Sequence, residues 1–218
     1  MKNKEFSWEL FNKVPVVGII RNLSFEEVEN IFPVYYESRL TTIEITVNTP
    51  GADEIIQYSV DRFGEKLNVG AGTVCNLKDL SMALDSGSQF IVTPVLNVEV
   101  IKACVERNIP VFSGAFTPTE IYKAWTAGSA MVKVFPATSL GPEYIKDILG
   151  PLNEIKLMPT GGVNIENSIS FLKAGAQGLG IGSQLFNKKF IKEKNWDALK
   201  NTFNEMVSKI DNYKITKI

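Results

Sequence analysis

The sequence predicts a single-domain α/β protein, a (β/α)8 barrel with an N-terminal helix, and three observations lead there. Short apolar runs rich in β-branched residues alternate with longer helical stretches eight times, starting roughly every 20–26 residues. The runs lack the strict apolar–polar alternation of a half-exposed strand, as strands covered on both faces do. The first run leads into Ile20-Arg21-Asn22-Leu23-Ser24, which has no glycine-rich dinucleotide turn. A doubly wound open sheet therefore ranks second.

The elements follow in order. Phe6, Trp8, Leu10 and Phe11 predict a short helix over the bottom of the barrel. Strands are expected at 16–21, 42–47, 67–70, 90–93, 110–113, 131–135, 155–159 and 178–181. Ser24-Phe25-Glu26-Glu27 begins a helix with a capping-box pattern, in which serine and glutamate each satisfy an end N–H of the other. Thr117-Pro118-Thr119-Glu120 begins another, with proline at the first helical position, where its missing N–H costs nothing. Asn164-Ile165-Glu166-Asn167 begins a third. Gly87, Gly128 and Gly175 each stop a helix shortly before the next strand. Beyond the last strand, Trp196, Leu199, Phe203, Met206, Val207 and Ile210 recur at helical spacing. They predict a packed C-terminal helix over about 189–211, after a barrel core spanning about 14–186. No linker or low-complexity segment interrupts the chain, so 1–218 reads as one domain.

Composition narrows the function classes. The hydrophobic fraction is 44% and the charged fraction 22%, those of an ordinary globular protein. Lys+Arg 23 against Asp+Glu 24 leaves a net charge of −1 and no basic stripe, which argues against nucleic acid or anionic membranes as partners. No apolar stretch is long enough to span a bilayer. The N-terminal Met1-Lys2-Asn3-Lys4-Glu5-Phe6 lacks the apolar core of a signal peptide, so a cytoplasmic location is expected. Cys75 and Cys104 form no metal spacing and no disulfide framework. The chain has no histidine. Ser-His-Asp and Cys-His catalysis and His-ligated metal sites are thereby excluded, which leaves lysine, carboxylates and hydroxyls to carry any chemistry.

Lys133 is the strongest candidate. It interrupts the apolar run Ala130-Met131-Val132-Lys133-Val134-Phe135-Pro136. A lysine removed from water lowers its pKa, and a neutral amine forms a Schiff base with a carbonyl. The alternative is a lysine that snorkels from a strand end or pairs with a carboxylate. Barrel active sites lie at the C-terminal strand ends. Polar residues expected there are Arg21, Glu44, Thr46, Asn48, Thr73, Thr93-Pro94, Lys133, Thr160-Gly161-Gly162 and Gly182-Ser183. Glu44, within Thr42-Ile43-Glu44-Ile45-Thr46-Val47, is either a proton shuttle or a structural ion-pair partner of Lys133 or Arg21. The glycine-rich loops after strands seven and eight read either as tight turns or as a phosphate cradle. Arg21 suits a bidentate carboxylate contact or a surface ion pair. The threonines are hydroxyl donors or plain strand formers.

These residues resemble the 2-keto-3-deoxy-6-phosphogluconate (KDPG) aldolases and their relatives, the 2-keto-3-deoxy-6-phosphogalactonate (KDPGal) and 4-hydroxy-2-oxoglutarate aldolases. The resemblance rests on Ile19-Ile20-Arg21, Ile43-Glu44-Ile45-Thr46, Val69-Gly70-Ala71-Gly72-Thr73-Val74, Ile91-Val92-Thr93-Pro94, Val132-Lys133-Val134-Phe135-Pro136-Ala137, Leu140-Gly141-Pro142 and Met158-Pro159-Thr160-Gly161-Gly162-Val163. It runs from about Val14 to Phe186. It implies a metal-free, cofactor-free class I aldolase, usually trimeric, acting on a small 2-keto-3-deoxy sugar acid phosphate. By the same resemblance Lys133 is the Schiff-base lysine and Glu44 the general acid/base. Arg21, Thr73, Pro94, Phe135 and Thr160 shape a pyruvyl pocket, and Gly162 and Ser183, with neighbouring Gly161 and Gly182, form the phosphate end. One departure stands out. Some KDPG aldolases carry arginine where this chain has Asn48, and Val47-Asn48-Thr49-Pro50 looks more like the KDPGal branch, whereas Met158-Pro159-Thr160-Gly161-Gly162 looks more like the KDPG branch. The C4 epimer is therefore open. A sugar-phosphate isomerase or epimerase on the same barrel leaves Lys133 unexplained, and a non-catalytic binding protein leaves the Lys133/Glu44 pair unexplained.

Overall fold

The computed structural model describes residues 5–216. Met1, Lys2, Asn3 and Lys4, part of the segment read for a leader, lie outside them, as do the last two residues of the chain. The eight parallel strands are β1 (Val16–Ile20), β2 (Thr42–Thr46), β3 (Asn68–Gly72), β4 (Ile91–Val92), β5 (Val111–Ala115), β6 (Met131–Val134), β7 (Leu157–Pro159) and β8 (Leu179–Ile181). Each pairs with its sequence neighbours, and β8 pairs back onto β1. The ring is almost complete. Between β7 and β8 the ladder shrinks to one parallel bridge, Thr160 with Gly180, and the Gln177 N–H donates to the Leu157 carbonyl at 3.0 Å.

The helices are α1 (Trp8–Lys13), α2 (Phe25–Glu37), α3 (Ala52–Phe63), α4 (Leu77–Asp85), α5 (Val98–Glu106), α6 (Pro118–Thr126), α7 (Gly141–Leu149), α8 (Ser168–Lys173), α9 (Lys188–Lys192) and α10 (Trp196–Ile215). The expected capping box is present at Ser24 with Glu27, and the helix start expected at Thr117-Pro118 carries a second one, Thr117 with Glu120. Gly87, Gly128 and Gly175 take positive φ and end α4, α6 and α8.

Strand ends differ from the sequence reading by one or two residues throughout, and three differences bear on the architecture. β3 runs on through Ala71 and Gly72, because both continue the ladder to Ile45 and Thr46. α8 begins at Ser168, not near Asn164, because Asn164 and Asn167 exchange backbone-to-amide hydrogen bonds at 2.9 Å and hold a turn instead. The expected helix over about 189–211 is two helices. Lys194 takes φ +53 between them, and the Asn195 side chain caps α10 by accepting from the Ala198 N–H.

Side chains alternate across each strand, so one set fills the barrel and the other meets the helices. Ile43, Ile45, Val132, Val134, Leu179 and Ile181 belong to the outer core under the helices. Val17, Phe90, Phe112, Met131 and Met158 form a separate inner cluster with Phe11 of α1, and Phe6 and Trp8 pack against it. The short N-terminal helix thus plugs the bottom, as its aromatic residues predict. Each buried phenylalanine there contributes about 1.5–3 kcal/mol by leaving water.

Candidate active site

One step up the same strands, the inward residues change character. Register sets Lys133 of β6 beside Gly114 of β5 and Met158 of β7, and Glu44 of β2 beside Ile19 of β1 and Gly70 of β3. Glycine keeps this layer open. A Cβ on Gly72 would lie 2.4 Å from Glu44 Oε1, and one on Gly180 would lie 2.1 Å from Thr160 Oγ1. A Cβ on Gly114 would strike the Pro94 backbone at 2.3 Å, so the turn after β4 folds directly over that glycine.

Glu44 is 0% exposed and Lys133 2%. Their Nζ and Oε1 atoms stand 4.0 Å apart, the outer edge of an ion pair. Among the described residues, neither Glu44 oxygen has a hydrogen-bond partner. Burial pushes the Glu44 carboxyl above its ordinary range, against the opposing charges of Lys133 and Arg21. Burial also pushes the Lys133 ammonium down. Glu44 opposes that shift and Arg21 adds to it. The site therefore holds an amine driven towards its neutral, nucleophilic form, next to a carboxyl driven towards its protonated form. The Phe135 ring covers the amine, with its centroid 5.2 Å from Nζ, and the Phe135–Pro136 peptide is cis.

A cavity of about 320 Å³ opens above β1, β7 and β8. Arg21, Phe135, Thr160, Gly161, Gly162, Gly182 and Ser183 all line it. Gly161 and Gly162 have φ +88 and +74, a turn that side-chain-bearing residues rarely adopt. Among the described residues, no acceptor takes the N–H groups of Gly161, Gly162 or Ser183. They are available to an oxyanion. Lys133 and Glu44 lie beneath this cavity and do not line it, while Phe135 connects the two.

Pro94, Thr73 and Asn48, expected in the site, also fall outside the cavity. Pro94 is half-buried above Gly114. Thr73 is half-buried just past β3, with φ +60. Asn48 is exposed in the turn after β2. That turn is held elsewhere, by a 3.0 Å contact between the Thr46 and Thr49 hydroxyls and by the Asn22 N–H donating to Thr49 Oγ1 at 3.0 Å. The Thr93 hydroxyl is committed to structure. It donates to the Val95 carbonyl at 2.6 Å and accepts the Gly114 N–H at 3.0 Å. Cys75 is exposed, and partial burial and the Asp79 carboxylate push its thiol up, away from reactivity. Among the described residues, no three Cys, Asp or Glu side chains cluster to hold a metal, and no helix is long and apolar enough to cross a membrane.

The family model for KDPG and KHG (4-hydroxy-2-oxoglutarate) aldolases matches residues 9–202. The chain belongs to this aldolase family. A 2-dehydro-3-deoxy-6-phosphogalactonate aldolase of Escherichia coli (strain K12) is 34% identical over 175 residues, 80% of this chain and 85% of that one. A 2-dehydro-3-deoxy-phosphogluconate aldolase of Haemophilus influenzae is 30% identical over 203 residues, 91% and 95% of the two chains. A native KDPGal structure superposes with a TM-score of 0.86 at 30% identity, covering 92% of this chain and 96% of that one. The KDPG aldolase of Legionella pneumophila, solved with pyruvate as a covalent carbinolamine, superposes with a TM-score of 0.83 at 25% identity and covers 90% and 96%.

Against this family background, the cavity also contains residues that the sequence reading passed over, namely Ile19, Asn22, Gln184 and Lys188. Lys188 falls between the expected barrel core and the expected C-terminal helix, a stretch to which the sequence reading assigns no element. Its signal is Asn187, which accepts the Lys189 N–H at 2.9 Å and starts a separate short helix five residues past Ser183.

Proposed function

We propose that this protein is a class I aldolase that cleaves a 2-keto-3-deoxy-6-phospho sugar acid to pyruvate and glyceraldehyde 3-phosphate. Lys133 carries the carbonyl carbon and Glu44 moves the protons. The observation that carries this reading is the buried Lys133–Glu44 pair, 4.0 Å apart under an anion-ready cavity. The neutral amine attacks the C2 ketone and gives a carbinolamine. Glu44, whose carboxyl burial pushes up, donates in its protonated form to the departing hydroxyl, so water leaves and the iminium forms. The resulting Glu44 carboxylate then takes the proton from the C4 hydroxyl. The C3–C4 bond breaks, its electron pair flows into the iminium, and the aldehyde departs. Glu44 returns a proton to C3 of the enamine, and water releases pyruvate from Lys133.

Arg21, Thr73, Pro94, Phe135 and Thr160 shape the pyruvyl end, and Gly161, Gly162, Gly182 and Ser183 take the phosphate. The leading substrate is the gluconate epimer, with 4-hydroxy-2-oxoglutarate as a further one. Asn48 and the KDPGal relative at 34% identity favour the galactonate epimer as the second reading. The same reading makes the enzyme a cytoplasmic homotrimer that needs no cofactor.

Borohydride reduction in the presence of pyruvate, followed by mass spectrometry of a digest, tests the reading. The expected result is a reduced pyruvyl adduct on Lys133. Folded protein left unmodified under excess pyruvate overturns it, and would return the isomerase and binding-protein alternatives.

A further inference from the structure

The aldolase reading leaves the far end of the cavity with a dianion and, around the glycine turns, only uncharged donors to meet it, backbone N–H groups and the Ser183 hydroxyl. A phosphate monoester carries about −1.5 to −2 charges near neutral pH. Glycine N–H groups supply hydrogen bonds but no net charge. No aspartate or glutamate lines the cavity, and its two cationic residues are Arg21 and Lys188. Neither makes an ion pair among the described residues. Their positions differ. Arg21 follows β1 and, though itself exposed, is close enough to bear on the charges of both Lys133 and Glu44, so it serves the reacting end. Lys188 opens α9, after the Gly182-Ser183 turn, on the exposed rim.

We propose that Lys188 is a specificity-determining residue, the cation that makes this aldolase prefer phosphorylated over unphosphorylated sugar acids. The proposal rests on the aldolase reading for its substrate. A lysine suits this place, because a compact, hydrated charge on a flexible stem can follow a phosphate at a solvent-exposed rim. Asn187 fixes where that stem begins, since its side chain accepts the N–H groups of Lys189 and Phe190 at 2.9 and 3.4 Å. Neighbouring Lys189 carries the same charge but does not line the cavity, because successive helical residues point different ways. It is a built-in control.

The test compares kcat/KM for 2-dehydro-3-deoxy-6-phosphogluconate and its unphosphorylated form in wild type, Lys188→Ala, Lys188→Arg and Lys189→Ala. The phosphorylated-to-unphosphorylated ratio should fall about ten- to a hundredfold in Lys188→Ala, the scale of one charge-assisted contact. The loss should sit mainly in KM, Lys188→Arg should recover most of it, and Lys189→Ala should keep the wild-type ratio. An unchanged ratio in Lys188→Ala, or equal losses on both substrates, overturns the proposal. Titration of each variant with inorganic phosphate separates this from failure of the aldolase reading. If wild type cleaves neither acid nor their galactonate epimers, yet Lys188→Ala alone weakens phosphate binding, the aldolase reading falls and the anion role of Lys188 stands. If phosphate binding is also indifferent to Lys188, both fall.

Discussion

The floor and the mouth of this barrel are built from the same strands, one inward-facing position apart, and they obey opposite rules. On β5, β6 and β7 the floor residues are Phe112, Met131 and Met158. The next inward positions are Gly114, Lys133 and Thr160. About 7 Å of rise converts a dry aromatic cluster into a layer holding two buried ionisable groups. At the floor, packing does the work. Phe112 stands within 6.0 Å, centroid to centroid, of Phe11 and within 5.4 Å of Phe90. At the mouth, a carboxyl with no hydrogen-bond partner is held in place by the rest of the fold. Such a group costs stability, roughly 1–3 kcal/mol. Sites of this kind are where catalytic groups acquire shifted pKa values. The difference indicates that stability is concentrated below and chemistry above.

Substitutions should separate the two regions cleanly. The largest effect on activity should come from Lys133→Ala. Cleavage should fall by ~10⁴-fold or more, the scale on which loss of a covalent nucleophile acts. Glu44→Gln should follow, with a loss of about 10²- to 10⁴-fold, because proton transfer at two steps is removed. Neither variant should melt lower than wild type in a calorimetric scan, because neither residue has a well-formed polar partner to lose. A large drop in Tm for Glu44→Gln would break the comparison, since the pair would then be structural.

The converse holds at the floor. Phe112→Ala should destabilise the protein by about 3–5 kcal/mol in denaturant unfolding, through lost burial and the cavity left behind. Its kcat for cleavage, measured where the variant is still folded, should stay within a few-fold of wild type. A Phe112→Ala variant that is stable but inactive would show that the floor positions the mouth, and would dissolve the distinction.

Much of this division was legible in the sequence. Lys133 and Glu44 stand out because each is a charge inside an apolar strand, and the cost of burying a charge makes it conspicuous. The aromatic residues ahead of β1 announce the plug, and the Ser24 capping box and Pro118 at a first helical position fix two helix starts to the residue. What was not legible is space. Gly72 falls beyond its expected strand and Gly180 inside one, yet nothing in the sequence shows that both serve by lacking a Cβ beside Glu44 and Thr160. No local pattern reports a contact between strands that far apart in the chain. Asn48 was expected at the mouth because it follows β2. The Thr46–Thr49 contact turns the chain there and leaves Asn48 exposed.

The finest distinction lies within the mouth itself, between the two charges that act on Lys133. Burial lowers its pKa from 10.5, Glu44 opposes that shift and Arg21 reinforces it. Attack on pyruvate needs the free amine, so the rate of adduct formation should rise with pH through a midpoint below that of an ordinary lysine. Removing Arg21 takes away a like charge and makes the ammonium easier to keep. The midpoint of Arg21→Ala should therefore move up. Removing the Glu44 charge takes away an attraction, so the midpoint of Glu44→Gln should move down. Rates of borohydride-trapped adduct formation across pH, at pyruvate well below saturation, read the free enzyme and decide the matter. Both shifts are smaller in effect than any loss above, but their opposite signs are the demanding part. Shifts of the same sign would mean that neither side chain acts through its charge, and that burial alone tunes the amine.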